Sequence, residues 1–319
     1  MTSGVLFIAG WGRSGSTLLD RLLGQMHGVE SVGEMRDIWR RGVLENRLCG
    51  CGHPFRECPF WSEVGRHAFG GWDALDVEHV DGLRRRVDRP WCLPFLLDRR
   101  LAPAALRAQI DEYVAVVGRL YGALDEVTGG KLVVDSTKIP TWSLILRLAG
   151  VRQRVLHLVR DSRGVMYSWR KQVVRPDATG EADEMLRYGP LTGSVRYSLY
   201  NSMTHVLQLV GLPYTRIRYE DLVADPAGLL RKVAPQVGLP LDQQVLDALD
   251  AGTCALRPTH TVDGNPNRFA TGVVRLRVDD QWRRELPWRA RAVTTVLTAP
   301  LLRTYGYNDR PAVAAGGRA

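Results

Sequence analysis

Gly10-Trp11-Gly12-Arg13-Ser14-Gly15-Ser16-Thr17 puts three glycines, one cation and three hydroxyls into eight residues. The spacing is that of a phosphate-binding loop, G-x-x-x-x-G-K-[ST], with backbone N–H groups and a helix N-terminus converging on an anion. One position departs from it. Ser16 stands where a triphosphate-binding loop has its lysine, and the loop's cation is Arg13, three residues earlier. The missing lysine would have met the β- and γ-phosphates beside Mg²⁺. The loop is therefore expected to suit a shorter anionic group held by Arg13, Ser14, Gly15, Ser16, Thr17 and Leu18. A glycine-rich turn that binds nothing is the plainer alternative.

A second basic turn, Arg160-Asp161-Ser162-Arg163-Gly164, follows the apolar run Val155-Leu-His-Leu-Val159, and Ser168 lies eight residues after Arg160. Its plainer reading is a local ion pair at a helix start. The elements that must hold these turns follow from periodicity. Val5 to Ala9 is a continuous apolar run ending at Gly10, as in a strand buried on both faces. A helix is expected from about Thr17 to Met26, a short strand at Val29 to Val32 and a long helix over 104–127. Further strands fall at Lys131 to Asp135, Val155 to Val159 and Thr215 to Tyr219. Helices follow Pro140, Ser162 and Asp225-Pro226, and cover Arg187 to Val210 and Trp288 to Leu302. Strands alternating with helices imply an α/β fold with a mainly parallel sheet. In such sheets ligands bind beyond the carboxyl ends of the strands, where both basic turns lie. Two anion sites on one rim fit a ligand with two separated phosphates.

These segments resemble the sulfotransferases that use 3′-phosphoadenosine 5′-phosphosulfate (PAPS). The resemblance implies a three-layer P-loop-like fold, a central sheet flanked by helices. It implies that Arg13 to Leu18 hold the 5′-phosphosulfate and that Arg160 and Ser168 hold the 3′-phosphate. Arg218-Tyr219-Glu220-Asp221-Leu222 is similar to the family's Y-E-D-L segment, which implies Tyr219 near the adenine. Gly264-Asn265-Pro266-Asn267-Arg268 is similar to the G-N-P-x-R segment of bacterial members, which implies Asn265 and Arg268 near the cofactor phosphates. The five segments span roughly residues 5–285 in the family's order.

Sulfuryl transfer needs positioning and charge stabilisation at the leaving phosphate oxygen. Arg13 is the expected cation there, and no metal is required. A base must take the acceptor's proton. Glu34, in Val32-Gly33-Glu34-Met35-Arg36, follows a strand on the loop's rim, with Arg36 or Asp37 to orient it. Asp135-Ser136-Thr137-Lys138 resembles the family segment that carries either a catalytic His or D-S-S-K. Its lack of His favours Glu34 as base and leaves Lys138, with Ser136 as a further candidate, to meet the transferring group. A surface Glu and a capping Ser beside an exposed Lys are the plainer readings.

Cys49-Gly-Cys51-Gly-His53-Pro-Phe-Arg-Glu-Cys58 gathers three thiols and an imidazole. A zinc site, a redox-labile disulfide and packed thiols all remain open. Bacterial members resemble this stretch, which implies a family structural element. Trp39, Trp61, Trp72 and Trp91 are read either as an acceptor pocket or as a satellite core. Arg84-Arg85-Arg86 is read as a solvated helix face.

The chain has 319 residues, 43 Lys plus Arg against 34 Asp plus Glu, and a net charge of +9. The charge points to anions without choosing one. With no signal-peptide pattern, no apolar run of membrane-spanning length and five cysteines, a cytoplasmic enzyme is expected. One domain is expected over 1–308, with an irregular insertion at about 40–100 and a frayed tail at 309–319. The expected partner is a small-molecule, sugar or glycolipid acceptor, not nucleic acid. No helix-turn-helix, zinc-finger or RNP pattern supports a basic nucleic-acid binder. A P-loop kinase or NTPase is the nearer rival, and Ser16 speaks against it.

Overall fold

The computed structural model describes residues 4–177, 184–277 and 279–307. Five parallel strands form the central sheet: β1 (Val5–Gly10), β2 (Val29–Gly33), β3 (Leu132–Lys138), β4 (Gln153–Val159) and β5 (Tyr214–Arg218), in the order β2-β3-β1-β4-β5. The chain moves from β1 to one side for β2 and later crosses to the other side for β4. That reversal opens a crevice at the carboxyl end of β1.

β1 is buried throughout because helices cover both faces of the sheet. Val5, Phe7 and Ala9 enter one core with Trp39, Tyr113 and Trp142; Leu6 and Ile8 enter the other with Leu19, Leu22 and Leu230. Helix α1 (Ser16–Leu23) ends three residues short of the expected Met26, with Gly24 as its C-cap.

The expected irregular insertion is helical. A π-type turn (Ile38–Leu44) leads to α2 (Pro59–Phe69), α3 (Val77–Val87) and α4 (Leu93–Leu97), which join the long α5 (Ala104–Thr128). Each helix is short and punctuated by Gly or Pro, but the apolar positions recur every three or four residues: Trp61, Val64 and Ala68, then Val77, Val80, Leu83 and Val87. Trp39, Trp61 and Trp72 are buried in one core with the odd face of β1, so they pack and do not line a pocket; Trp91 is exposed. Arg84 also departs from expectation, since it is buried against Asp81 at 2.8 Å.

The rest follows the α/β alternation. Helix α6 (Pro140–Leu148) precedes β4. Helices α7 (Ser162–Arg170) and α8 (Pro190–Leu209) precede β5, and α9 (Tyr219–Ala224), α10 (Pro226–Val237) and α11 (Gln243–Asp250) follow it. A hairpin of β6 (Thr253–Leu256) and β7 (Gly272–Arg275) then frames the 257–271 loop. Helices α12 (Trp282–Glu285) and α13 (Trp288–Thr304) finish the described chain. The tail at 309–319 lies outside the described residues.

Candidate active site

The phosphate loop is shaped by contacts that leave no room for side chains at its glycines. Gly10 has φ +139° and its missing Cβ would stand 2.5 Å from the Leu158 carbonyl. Gly15 has φ +94°, and a Cβ there would strike the Tyr219 ring at 2.4 Å. Tyr219 thus packs against the loop where α1 begins. Arg13 also has positive φ, +68°, an uncommon conformation for a residue with a side chain. Its guanidinium reaches Trp169, 5.2 Å from the ring centroid.

Arg13 Nε, Arg13 Nη2 and Ser14 Oγ are buried with no hydrogen-bond partner among the described residues. Buried donors are normally paired, and an unpaired one costs about 1–3 kcal/mol. Helix α1 has no side-chain cap and no acidic residue in its first turn. Unspent cationic donors and free helix-start amides together suit an anion. Burial depresses the Arg13 guanidinium from its ordinary value; Glu34 counteracts this, and Arg175 adds to it.

Glu34 and Lys138 meet at the strand tips. β2 pairs with β3 and β3 with β1, so the ends of β2 and β3 converge beside the loop. Lys138 Nζ lies 2.6 Å from Glu34 Oε1 and donates to the Ser136 carbonyl at 2.9 Å. Lys138 adopts φ +73°, a second strained position on this rim. Burial pushes the Glu34 carboxyl up from the ordinary glutamate value; Lys138 pulls it down, and Asp263 and Asp37 push it up. Gly264, at φ +132°, passes so close that a Cβ would lie 3.4 Å from Glu34 Oε1 and 3.8 Å from Thr17 Oγ1. The base candidate, the phosphate loop and the Gly264-Asn265 segment therefore share one small volume.

Around Arg160 the groups are held from beneath. Its guanidinium lies over the Tyr219 ring at 4.3 Å, meets Asp279 Oδ2 at 3.1 Å and donates to the Arg13 carbonyl at 3.2 Å. Lys171 stands 3.8 Å from the same Asp279 oxygen. Glu220 accepts from the Asp161 amide at 3.1 Å, and Asp161 in turn caps α7 by accepting from the Arg163 amide at 2.9 Å. Ser168 is partly exposed on that helix.

Several expected roles meet other geometry. The Arg268 guanidinium is buried and committed to the Thr261 and Leu48 carbonyls, both at 2.7 Å, and to Asp177 at 2.9 Å. It holds the loop in place of pointing at a ligand. Asn265 Oδ1 accepts from its neighbour Asn267 at 3.1 Å and caps the 3₁₀ turn. Ser136 gives its hydroxyl to Asp20 at 2.8 Å, beneath the site. Arg36 pairs with Asp88, so Lys138 and not Arg36 is the ion partner of Glu34. The motifs gave no sign of Lys171, Asp279 or the Arg175–Asp263 pair at 2.6 Å. Arg21 was also missed. It clamps the 257–270 segment to α1 through the carbonyls of Asn267, Ala270 and Arg257.

The sheet order, flanking helices and modified phosphate loop define a P-loop-like α/β fold of the sulfotransferase type. Two solved structures share it. A sulfotransferase domain from the Synechococcus PCC 7002 olefin synthase superposes with a TM-score of 0.53 at 22% identity, covering 97% of this chain and 96% of that one. The sulfotransferase domain of the curacin biosynthetic pathway gives 0.51 at 17% identity, covering 94% and 98%. In sequence, carbohydrate sulfotransferase 3 of Mus musculus is 27% identical over 165 residues, 48% of this chain and 34% of that protein. The Homo sapiens form is 27% identical over 166 residues, 48% and 33%. The chain thus spans about a third of the length of the curated relatives it matches. No protein-family model matches it. The chain thus shares its fold with sulfotransferase domains and is similar in sequence, over about half its length, to carbohydrate sulfotransferases.

Proposed function

We propose that the chain transfers a sulfuryl group from PAPS to a hydroxyl of a carbohydrate or other small acceptor. The observation that carries this reading is the loop cation: Arg13 Nε and Nη2 and Ser14 Oγ are buried without hydrogen-bond partners among the described residues, beside the Glu34–Lys138 pair. The donor set is cationic and hydroxylic, with Ser16 in the lysine position, and suits a phosphosulfate better than a metal-bound triphosphate. Arg13, Ser14 and the amides of Gly15 to Leu18 hold the 5′ end. Arg160, with Lys171 close by and Ser168 on the following helix, holds the 3′-phosphate in exchange for Asp279. Tyr219 offers its ring beside the loop.

The acceptor oxygen attacks sulfur as the bond from sulfur to the bridging phosphate oxygen breaks. Glu34 takes the acceptor's proton, and the phosphate oxygen leaves with the electron pair. Arg13 and Lys138 meet the charge that develops there. Lys138 also pulls the Glu34 carboxyl down against the burial that raises it, which favours the ionised base. A sugar acceptor is favoured by the kinship to proteins named as carbohydrate sulfotransferases.

Thermal unfolding with 3′-phosphoadenosine 5′-phosphate (PAP), ATP–Mg²⁺ or duplex DNA separates this reading from a kinase and from a nucleic-acid binder. At a hundredfold excess over Kd, PAP should add about 2.7 kcal/mol. No stabilisation by PAP would refute the reading. A labelled-donor assay over hydroxylated acceptors then identifies the acceptor class.

A further inference from the structure

Three cysteines and one histidine converge away from the transfer site. Cys49, Cys51, Cys58 and His260 each offer one ligand atom, and these four atoms lie within 4.8 Å of one another. Cys51 Sγ and Cys58 Sγ are 3.6 Å apart; His260 Nδ1 is 3.4 Å from Cys58 Sγ and 3.9 Å from Cys49 Sγ. A tetrahedral zinc with Zn–S of about 2.3 Å and Zn–N of about 2.0–2.1 Å has edges of about 3.8 Å between sulfurs and about 3.5 Å between sulfur and nitrogen. The three separations given lie close to those edges. All five cysteines of the chain are free thiols.

Backbone N–H groups face the sulfurs. The backbone amides of Cys51, His53 and Trp61 donate to the sulfurs of Cys49, Cys51 and Cys58 respectively. Gly52, at φ +92°, turns the chain tightly just after the first two cysteines, with its amide on the Cys49 carbonyl at 2.8 Å. His260 is fixed from outside: its ring stacks on Phe60 at 4.6 Å, and its carbonyl accepts from Trp61 Nε1 at 2.9 Å. Cys49 and Cys58 are buried, and Cys51 and His260 are half-buried.

We infer that Cys49, Cys51, Cys58 and His260 bind one structural zinc ion. The three thiols lose their protons on binding, and the closed Cys₃His set leaves no open position for chemistry. His53, the imidazole nearest in sequence, is exposed and stands outside the set. The ion joins the helical insertion to a segment 202 residues away from Cys58. That segment is also bonded through Thr261 to Gly50 and through Val262 to Val32, just before Glu34. The metal therefore pins the wall behind the candidate base.

Metal analysis of the purified full chain should give about one zinc per chain, released by a mercurial that titrates thiols. Replacement by Co²⁺ should give the intense visible bands of tetrahedral cobalt with thiolate charge transfer. His260→Ala and Cys58→Ser should lose most of the zinc, while His53→Ala and Cys92→Ser keep it. His260→Cys should retain it as a four-thiolate site. If the variants fail to fold, zinc content and the cobalt spectrum of the unaltered chain still decide. A metal-free chain, a disulfide among these cysteines in freshly isolated protein, or zinc lost with His53→Ala but kept by His260→Ala would overturn the assignment.

Discussion

Glu34→Gln is the sharpest probe of the transfer chemistry, because it removes the proton acceptor and little else. The amide keeps the volume of the carboxylate and leaves its oxygen facing Lys138 Nζ, now 2.6 Å from Glu34 Oε1. Lys138 also keeps the Ser136 carbonyl at 2.9 Å, so its charge is not orphaned. The loss of one charge-assisted bond should cost about 1–3 kcal/mol of stability, a modest change in a well-packed domain. Loss of general-base catalysis should lower kcat by about 10²–10⁴-fold, or roughly 3–5 kcal/mol in the barrier. Affinity for PAP should hold, because Arg13, Ser14 and Arg160 are untouched. Burial raises the Glu34 carboxyl, so the acid limb of kcat/KM should lie above the ordinary glutamate range, with activity falling as pH drops through it. That limb should vanish in Glu34→Gln. In Lys138→Met it should move to higher pH, since Lys138 is the cation that pulls the Glu34 value down. Calorimetric PAP binding, single-turnover rates and the pH profile test this together. Wild-type turnover in a folded Glu34→Gln protein, or an unchanged acid limb, would refute the assignment.

Arg160→Ala should weaken PAP binding by roughly 10–100-fold, since one charge-assisted contact is worth about 1.5–3 kcal/mol; undiminished affinity by calorimetry would remove Arg160 from the 3′-phosphate site. Asp20 provides a stability test. It is buried, accepts from Ser31 at 2.6 Å and Ser136 at 2.8 Å, and burial raises its carboxyl to about 7. The folded state therefore holds this proton more tightly than the unfolded chain does. The resulting stability is complete below the ordinary aspartate value and is lost as pH rises through about 7, with a ceiling of about 4 kcal/mol. Asp20→Asn should flatten the decline in urea-unfolding stability between pH 5 and 8, and parallel curves for the two proteins would contradict it.

What the sequence made legible was whatever is decided locally. Gly10 to Thr17 could be read because a buried strand, a tight turn and a helix start lie within about twenty residues, and backbone amides define the site. Glu34 and Lys138 could each be proposed from their strand ends. That they pair with one another depends on the register of β2 and β3 across a gap of about a hundred residues, which no local pattern encodes. Arg268 shows the opposite failure. Its motif fixes a position but not a direction, and the guanidinium turns inward because three acceptors there satisfy it. The insertion at 40–100 looked irregular because Gly and Pro recur throughout it. Eleven-residue helices nevertheless form once the buried tryptophans pack on α5, since tertiary burial supplies what short helices lack. His260 was beyond reach for the same reason as the ion pair: the cysteines announce a ligand set, and only the fold says which imidazole completes it. The surplus of cations divides along the same line. Arg13 and Arg160 face the rim. Arg21 and Arg268 are buried girders bonded to backbone carbonyls, and Arg84 is spent on Asp81. A net charge of +9 therefore overstates the cationic field available to an anionic substrate, and the few placed guanidiniums at the strand tips are what give this rim its chemistry.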